Sequence, residues 1–171
     1  MANLREAFAS TNFASLEWDE NKELAIDRVT ASGLCDELGV LLWKAKYMNE
    51  SVAYKSARTI LINIHTERFI NEVRLVAESV VEQCLHEYVS DRCRDCNGAK
   101  ELMVGERRVI CETCNGSGIR RYTDFERART MKLALGKVQR IIRQFGYIQQ
   151  LIGTKDRSVN VAMAALLERS Y

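Results

Sequence analysis

Apolar residues recur at helical spacing through most of the chain. Leu16, Leu24 and Ile26 anchor a short acidic helix over Ser15–Val29, preceded by about 15 residues of weak periodicity. Leu34, Leu38, Leu41, Leu42 and Ala45 define a helix from Gly33 to Met48. Val52, Ala53, Ala57, Ile60, Leu61 and Ile64 define the next. Thr66 is placed to cap a long helix ending near Tyr88, with Phe69, Val73, Val76, Ala77, Val80, Cys84 and Leu85 inward. The periodicity then stops. Between Asp91 and Gly118 the pattern allows only two short strands, Glu101–Val104 and Arg107–Ile110, turning at Gly105. It resumes at Thr123-Asp-Phe-Glu126, a capping box in which Thr123 and Glu126 satisfy each other's amides. Ala128, Met131, Leu135, Val138, Ile142 and Phe145 follow in steps of three and four, predicting one helix over Thr123–Phe145. A final pair, Tyr147–Ile152 and Ser158–Arg169, would be separated at Gly153.

The predicted fold is mainly α: a helical bundle with a helix-turn-helix-like unit, interrupted by a small insert with a short β-hairpin. The absence of proline from all 171 residues suits it. The expected organisation is a helical region over 1–65, a second region over 66–146 carrying the insert at 91–118, and terminal helices over 147–171. Apolar residues at 47% and charged residues at 28% are a globular composition. With no long apolar run and no basic-then-apolar opening, the expectation is a soluble, cytoplasmic protein.

The interruption carries the chemistry. Of six cysteines, four stand as two Cys-x2-Cys pairs, Cys93/Cys96 and Cys111/Cys114, separated by fourteen residues. Each pair can form a tight knuckle, and two knuckles complete a tetrahedron around one zinc ion. Gly98, Gly116 and Gly118 let the backbone curl and aim amides at the thiolates. Four thiolates leave no open position for water, so the zinc would be structural, and ordering of the insert would depend on it. Loss of the metal would, on this reading, also free the helices on either side from their relative placement.

The net charge of +2 conceals a basic segment: Asp91–Gln144 holds 13 Lys and Arg against 7 Asp and Glu. Arg129, Lys132, Arg140 and Arg143 fall opposite the apolar stripe of Thr123–Phe145, the layout of a helix that enters a DNA groove. Nothing points to an enzyme. His65 and His86 belong to amphipathic helices without partner carboxylates, Cys35 and Cys84 fall on apolar stripes, and Trp18 and Trp43 read as core.

The runs Cys93-Arg-Asp-Cys-Asn-Gly98, Cys111-Glu-Thr-Cys-Asn-Gly-Ser-Gly118 and Tyr122-Thr-Asp-Phe-Glu-Arg-Ala-Arg-Thr-Met131 resemble the zinc region of the late antitermination protein Q family of lambda-like bacteriophages. The likeness covers Tyr88 to about Leu135, with Lys100 where the family has the second glycine of the first knuckle. It implies a factor that binds double-stranded DNA overlapping a late promoter, loads onto bacterial RNA polymerase, and allows terminator readthrough in the host cytoplasm. Sigma factor, a Nus-type elongation factor and a second copy of the chain on DNA would be further partners, and residues 1–65 would dock on polymerase. It also implies a helix-turn-helix interrupted by the zinc insert, with Thr66–Tyr88 and Thr123–Phe145 as its helices. Arg120, Arg121, Thr123, Arg127, Arg129 and Lys132 would then contact DNA, and Arg127→Ala should remove most of the site preference. Rival readings are an RNA- or protein-binding zinc ribbon and an ordinary DNA-binding regulator. A J-domain chaperone is excluded by the lack of a His-Pro-Asp loop.

Overall fold

The computed structural model describes residues 35 to 168, so the expected helix at Ser15–Val29 and Trp18 lie outside the described residues. It confirms a mainly helical fold bearing a small two-stranded hairpin and a four-cysteine cluster. The chain forms two compact units, the insert Asp91–Arg121 and a helical unit made by the residues on either side of it. The expected boundaries at 65/66 and 146/147 do not appear, because each falls inside a continuous helix.

In the helical unit, α1 (Glu37–Tyr47) opens at Asp36, whose carboxylate accepts the Gly39 N–H at 2.8 Å. Gly39 faces the C-terminal helix so closely that a Cβ would sit 3.0 Å from Val159 Cγ2. The second helix, α2 (Ser51–Arg68), runs through Thr66 instead of ending before it. Thr66 does not cap a new helix. Its hydroxyl donates back to the Asn63 carbonyl. The break comes at Phe69, whose ring packs on His65 and Tyr147, and α3 (Arg74–Val89) starts after it.

After the insert, α4 (Asp124–Met131) begins with the expected capping box, Thr123 Oγ1 accepting from Glu126 N and the Glu126 carboxylate accepting from Thr123 N. The predicted helix over Thr123–Phe145 is then corrected. Lys132 takes a left-handed conformation (φ 54°, ψ 39°), and Leu133 N–H donates to the Ala128 carbonyl at 2.9 Å, which closes α4. A three-residue turn leads to α5 (Leu135–Arg140), and one residue later α6 (Ile142–Glu168) begins. Val138 is buried as expected, but Leu135 and Ile142, also expected inward, are exposed because the turn resets the helical phase, and Ile141 is buried instead. The two terminal helices expected on either side of Gly153 are one. Ile148 and Ile152 on one side of that glycine, and Val159 and Met163 on the other, are all held in core clusters.

The main core joins Leu42 of α1, Leu61 of α2, Val80, Val81 and Leu85 of α3, Ala128 of α4, Val138 of α5 and Phe145 of α6. Helix α4 packs on α3 and on α5, and α3 and α5 pack on α6, which gives a helix-turn-helix-like arrangement. The insert interrupts the sequence between α3 and α4.

His65 is fully buried in this core. Its Nε2 pairs with Gln144 Oε1 at 2.9 Å, Gln144 donates to Glu72, and Nδ1 has no partner. Burial holds its pKa below the ordinary histidine value, against the opposing hydrogen bond to Gln144 and the charge of Glu72. The unfolded chain therefore takes up a proton near pH 6.5 that the folded chain refuses, and stability falls as pH drops through that value. Urea midpoints between pH 7.5 and 5.5 should decline for the native chain and decline less for His65→Gln. Equal declines would discard this role.

Candidate functional site

The insert is built from two near-copies of one knuckle. In Cys93-x-x-Cys96-Asn97-Gly98-Ala99-Lys100 and Cys111-x-x-Cys114-Asn115-Gly116-Ser117-Gly118, the Asn-Gly positions match in sequence and conformation, and the final positions match in conformation alone. Asn97 and Asn115 have φ of 49° and 50°, Gly98 and Gly116 86° and 72°, and Lys100 and Gly118 70° and 74°. Lys100 therefore holds a glycine conformation without being glycine. Gly118 could not be replaced in kind, since a Cβ there would lie 2.7 Å from the Gly98 carbonyl oxygen. The knuckles also bond reciprocally: Cys93 N–H donates to Gly118 O at 2.8 Å, and Cys111 N–H to Lys100 O at 2.9 Å. The predicted strands β1 (Glu101–Val104) and β2 (Arg107–Ile110) join the knuckles as an antiparallel pair.

Cys93, Cys96, Cys111 and Cys114 come together as expected. All four are buried and free, with their sulfurs within 4.8 Å of one another. Cys93 and Cys111 stand 3.8 Å apart, and Cys96 and Cys114 3.7 Å. A disulfide would need about 2.05 Å. A tetrahedron with metal–sulfur bonds of about 2.3 Å has edges of about 3.8 Å. The donor set and spacing fit one metal ion. The cluster gives up its first proton most readily at Cys114: burial alone would push that thiol up, but the Gly118 N–H at 3.3 Å and the neighbouring thiols bring it to about 6, whereas at Cys111 a backbone hydrogen bond lowers the pKa but burial and the other three thiols push it up to about 11. Leu102 covers the cluster, while Met103, Val104 and Ile110 of the hairpin remain exposed.

The residues expected to touch DNA have different fates. Arg127 is a correction. Its Nε and Nη2 donate to the two Glu87 oxygens at 2.7 and 2.9 Å, its Nη1 reaches Asp124 at 3.3 Å, and its guanidinium lies 5.2 Å from the Phe145 ring centre. With 13% of the side chain exposed and 8% of Glu87, this is an interior ion pair, and its guanidinium is engaged there instead of facing outward. Thr123 is exposed but occupied as the α4 cap. Arg120 is half-buried within the insert, and Arg121 is exposed there. Arg129 and Lys132 are exposed on the helical unit.

The pattern of Thr123–Phe145, which reads as one helix with its cations in the first turns, did not foresee α5 as a separate element. Gly136, Lys137, Gln139, Arg140 and, just beyond α5, Arg143 are all exposed, and between Arg127 and Lys155 the sequence contains no Asp or Glu. Lys132, Lys137, Arg140 and Arg143 make no ion pair among the described residues. The signal that could have located α5 was the small residue Ala128 with Leu133, Val138 and Ile141, the packing pattern of two helices joined by a short turn.

No described helix is long and apolar enough to cross a membrane. Compared with protein-family models, with curated proteins and with solved structures, the chain finds no match.

Proposed function

We propose that this protein is a zinc-containing, double-stranded DNA-binding transcription regulator of the late-antiterminator type. The observation that carries the reading is the carboxylate-free run of exposed cations on the α4–α5–α6 corner, displayed by a helix-turn-helix-like unit. A polyanion with regularly spaced phosphates is the ligand that such a surface suits.

The charge is not evenly shared between the two units. Asp91–Arg121 holds seven basic and five acidic residues, and Tyr122–Gln144 holds six and two. A divalent ion on four thiolates carries a formal charge of about −2, which brings the insert close to neutral. DNA attraction therefore resides mainly in the helical unit, through Arg129 and Lys132, with Arg121 a secondary contact. The near-neutral insert, with exposed Met103, Val104 and Ile110, suits a protein partner better than phosphate. RNA polymerase is that partner in the antiterminator reading, which rests on the likeness of Tyr88–Leu135 to the phage family.

The zinc ion would be held by Cys93, Cys96, Cys111 and Cys114. Its chemistry is to neutralise and tie together four thiolates, with no catalytic position. What the chain's own residues contribute is the preformed cage: the Gly118 amide on Cys114 and the reciprocal knuckle bonds.

Anisotropy titrations of labelled duplex DNA and of single-stranded RNA at several salt concentrations test the binding. The duplex should bind more tightly, and log K should fall with log salt by about 0.9 per neutralised phosphate. Tighter binding to RNA would replace this reading with that of an RNA-binding ribbon. Transcription from a late promoter through an intrinsic terminator tests the second half: terminator readthrough is expected, and its absence would leave an ordinary DNA-binding regulator.

A further inference from the structure

We infer that the bases of a DNA site are read by α5, through Gln139 and Arg140 on either side of the helix from Val138, and not by α4. This rests on the DNA-binding reading above and specifies which helix enters the groove.

Three features of the helical unit separate the two helices. First, α4 is tied down: its capping box occupies Thr123 and Glu126, and Arg127 is locked to Glu87. Its first turn also carries Asp124 and Glu126, which repel phosphate. Second, α5 is joined to α4 by the Lys132–Ala134 turn and fixed from behind by Val138 and Ile141, which are 0% and 3% exposed. Its outer side is thereby held clear of the core. This is the arrangement in which the first helix of a pair spans the backbone and the second lies in the major groove. Third, the outer side of α5 has the required chemistry. Gly136 has open space where a Cβ would be, allowing the helix to approach a base edge closely. Gln139 offers the paired donor and acceptor that adenine presents in the major groove, and Arg140 the donor fork that guanine accepts. Arg140 Nε donates to the Gly136 carbonyl at 3.2 Å, which orients the side chain while leaving guanidinium N–H groups for a base. Lys132 and Arg143, at the two ends of this segment, are positioned for phosphate.

Duplexes recovered from a randomised pool by the metal-loaded, full-length chain provide the test. The native chain should enrich a defined motif. Gln139→Ala and Arg140→Ala should each lose discrimination at one base pair, by about 5- to 150-fold. Arg140→Lys should lose the same preference with an unchanged salt slope, since it keeps the charge and loses the fork. Arg129→Ala should weaken all duplexes alike and leave the motif in place. The side chains are exposed, and unchanged thermal melting would show that each variant folds. A motif untouched by Gln139→Ala and Arg140→Ala, or altered by Arg129→Ala instead, overturns the assignment of α5 while DNA binding stands. Absence of any duplex binding at low salt overturns both.

Discussion

Arg127→Ala will lower the unfolding free energy by about 3–5 kcal/mol, the usual cost of leaving a buried charge without its partner. The charge left behind is Glu87. In the native protein it also accepts from Gln83 at 3.0 Å and from Gln149 at 2.7 Å, so three helices converge on one carboxylate. Glu87 raises the pKa of Arg127 beyond its already high ordinary value, and the guanidinium stays charged throughout the range in which the protein is handled. Urea denaturation of Arg127→Ala, Glu87→Ala and the apolar pair Arg127→Met with Glu87→Leu should give a strongly non-additive cycle. The apolar pair should recover much of the loss. Where Arg127→Ala is still folded, its affinity for DNA should be close to native. A large loss of affinity at native stability would return Arg127 to the DNA surface.

The second large effect concerns the metal. Chelation, or Cys111→Ser, should release one ion per chain and disorder Asp91–Arg121 while leaving the helical unit folded. Binding of a structural zinc ion is worth about 10 kcal/mol or more, and most of that orders the ligand loops. Within the helical unit, however, α3 and α4 have contacts of their own. Glu87 holds Arg127, Tyr122 Oη donates to Ser90 O at 2.8 Å, and His86 packs edge-on against Tyr122. Far-ultraviolet dichroism should therefore lose little helical signal on chelation, while hydrogen exchange becomes fast in the insert alone. Collapse of the whole helical signal would show that the metal holds the bundle together, an outcome beyond the loss of relative placement of the flanking helices that the sequence by itself suggested.

That contrast shows what the sequence could reveal. The cysteine cluster was legible because its determinants are local: two residues between thiols, then Asn and Gly at left-handed positions. The hairpin followed from Gly105 and the capping box from Thr123 and Glu126, for the same reason. The turn after α4 was hidden. Its left-handed residue is Lys132 rather than glycine, and the apolar steps from Ala128 to Phe145 run across it without a gap. Only the exposure of Leu135 and Ile142 shows that the phase changed. Arg127 was misread because its partner, Glu87, lies 40 residues away on the far side of the insert. A charge that is neutralised at long range looks, in one dimension, like a free one. Gly153 misled in the opposite sense: its local preference to end a helix was overridden by packing on both sides.

The reciprocal bonds between the knuckles bear on how the insert assembles. Each loop's first cysteine amide is satisfied by the far end of the other loop, so neither half is complete in isolation. During synthesis the ribosome releases all of α1, α2 and α3 before the second loop emerges. A metal ion that needs all four thiols would therefore find its full cage only after the second loop has emerged, since two thiols alone make a poor resting place for an ion and four a deep one.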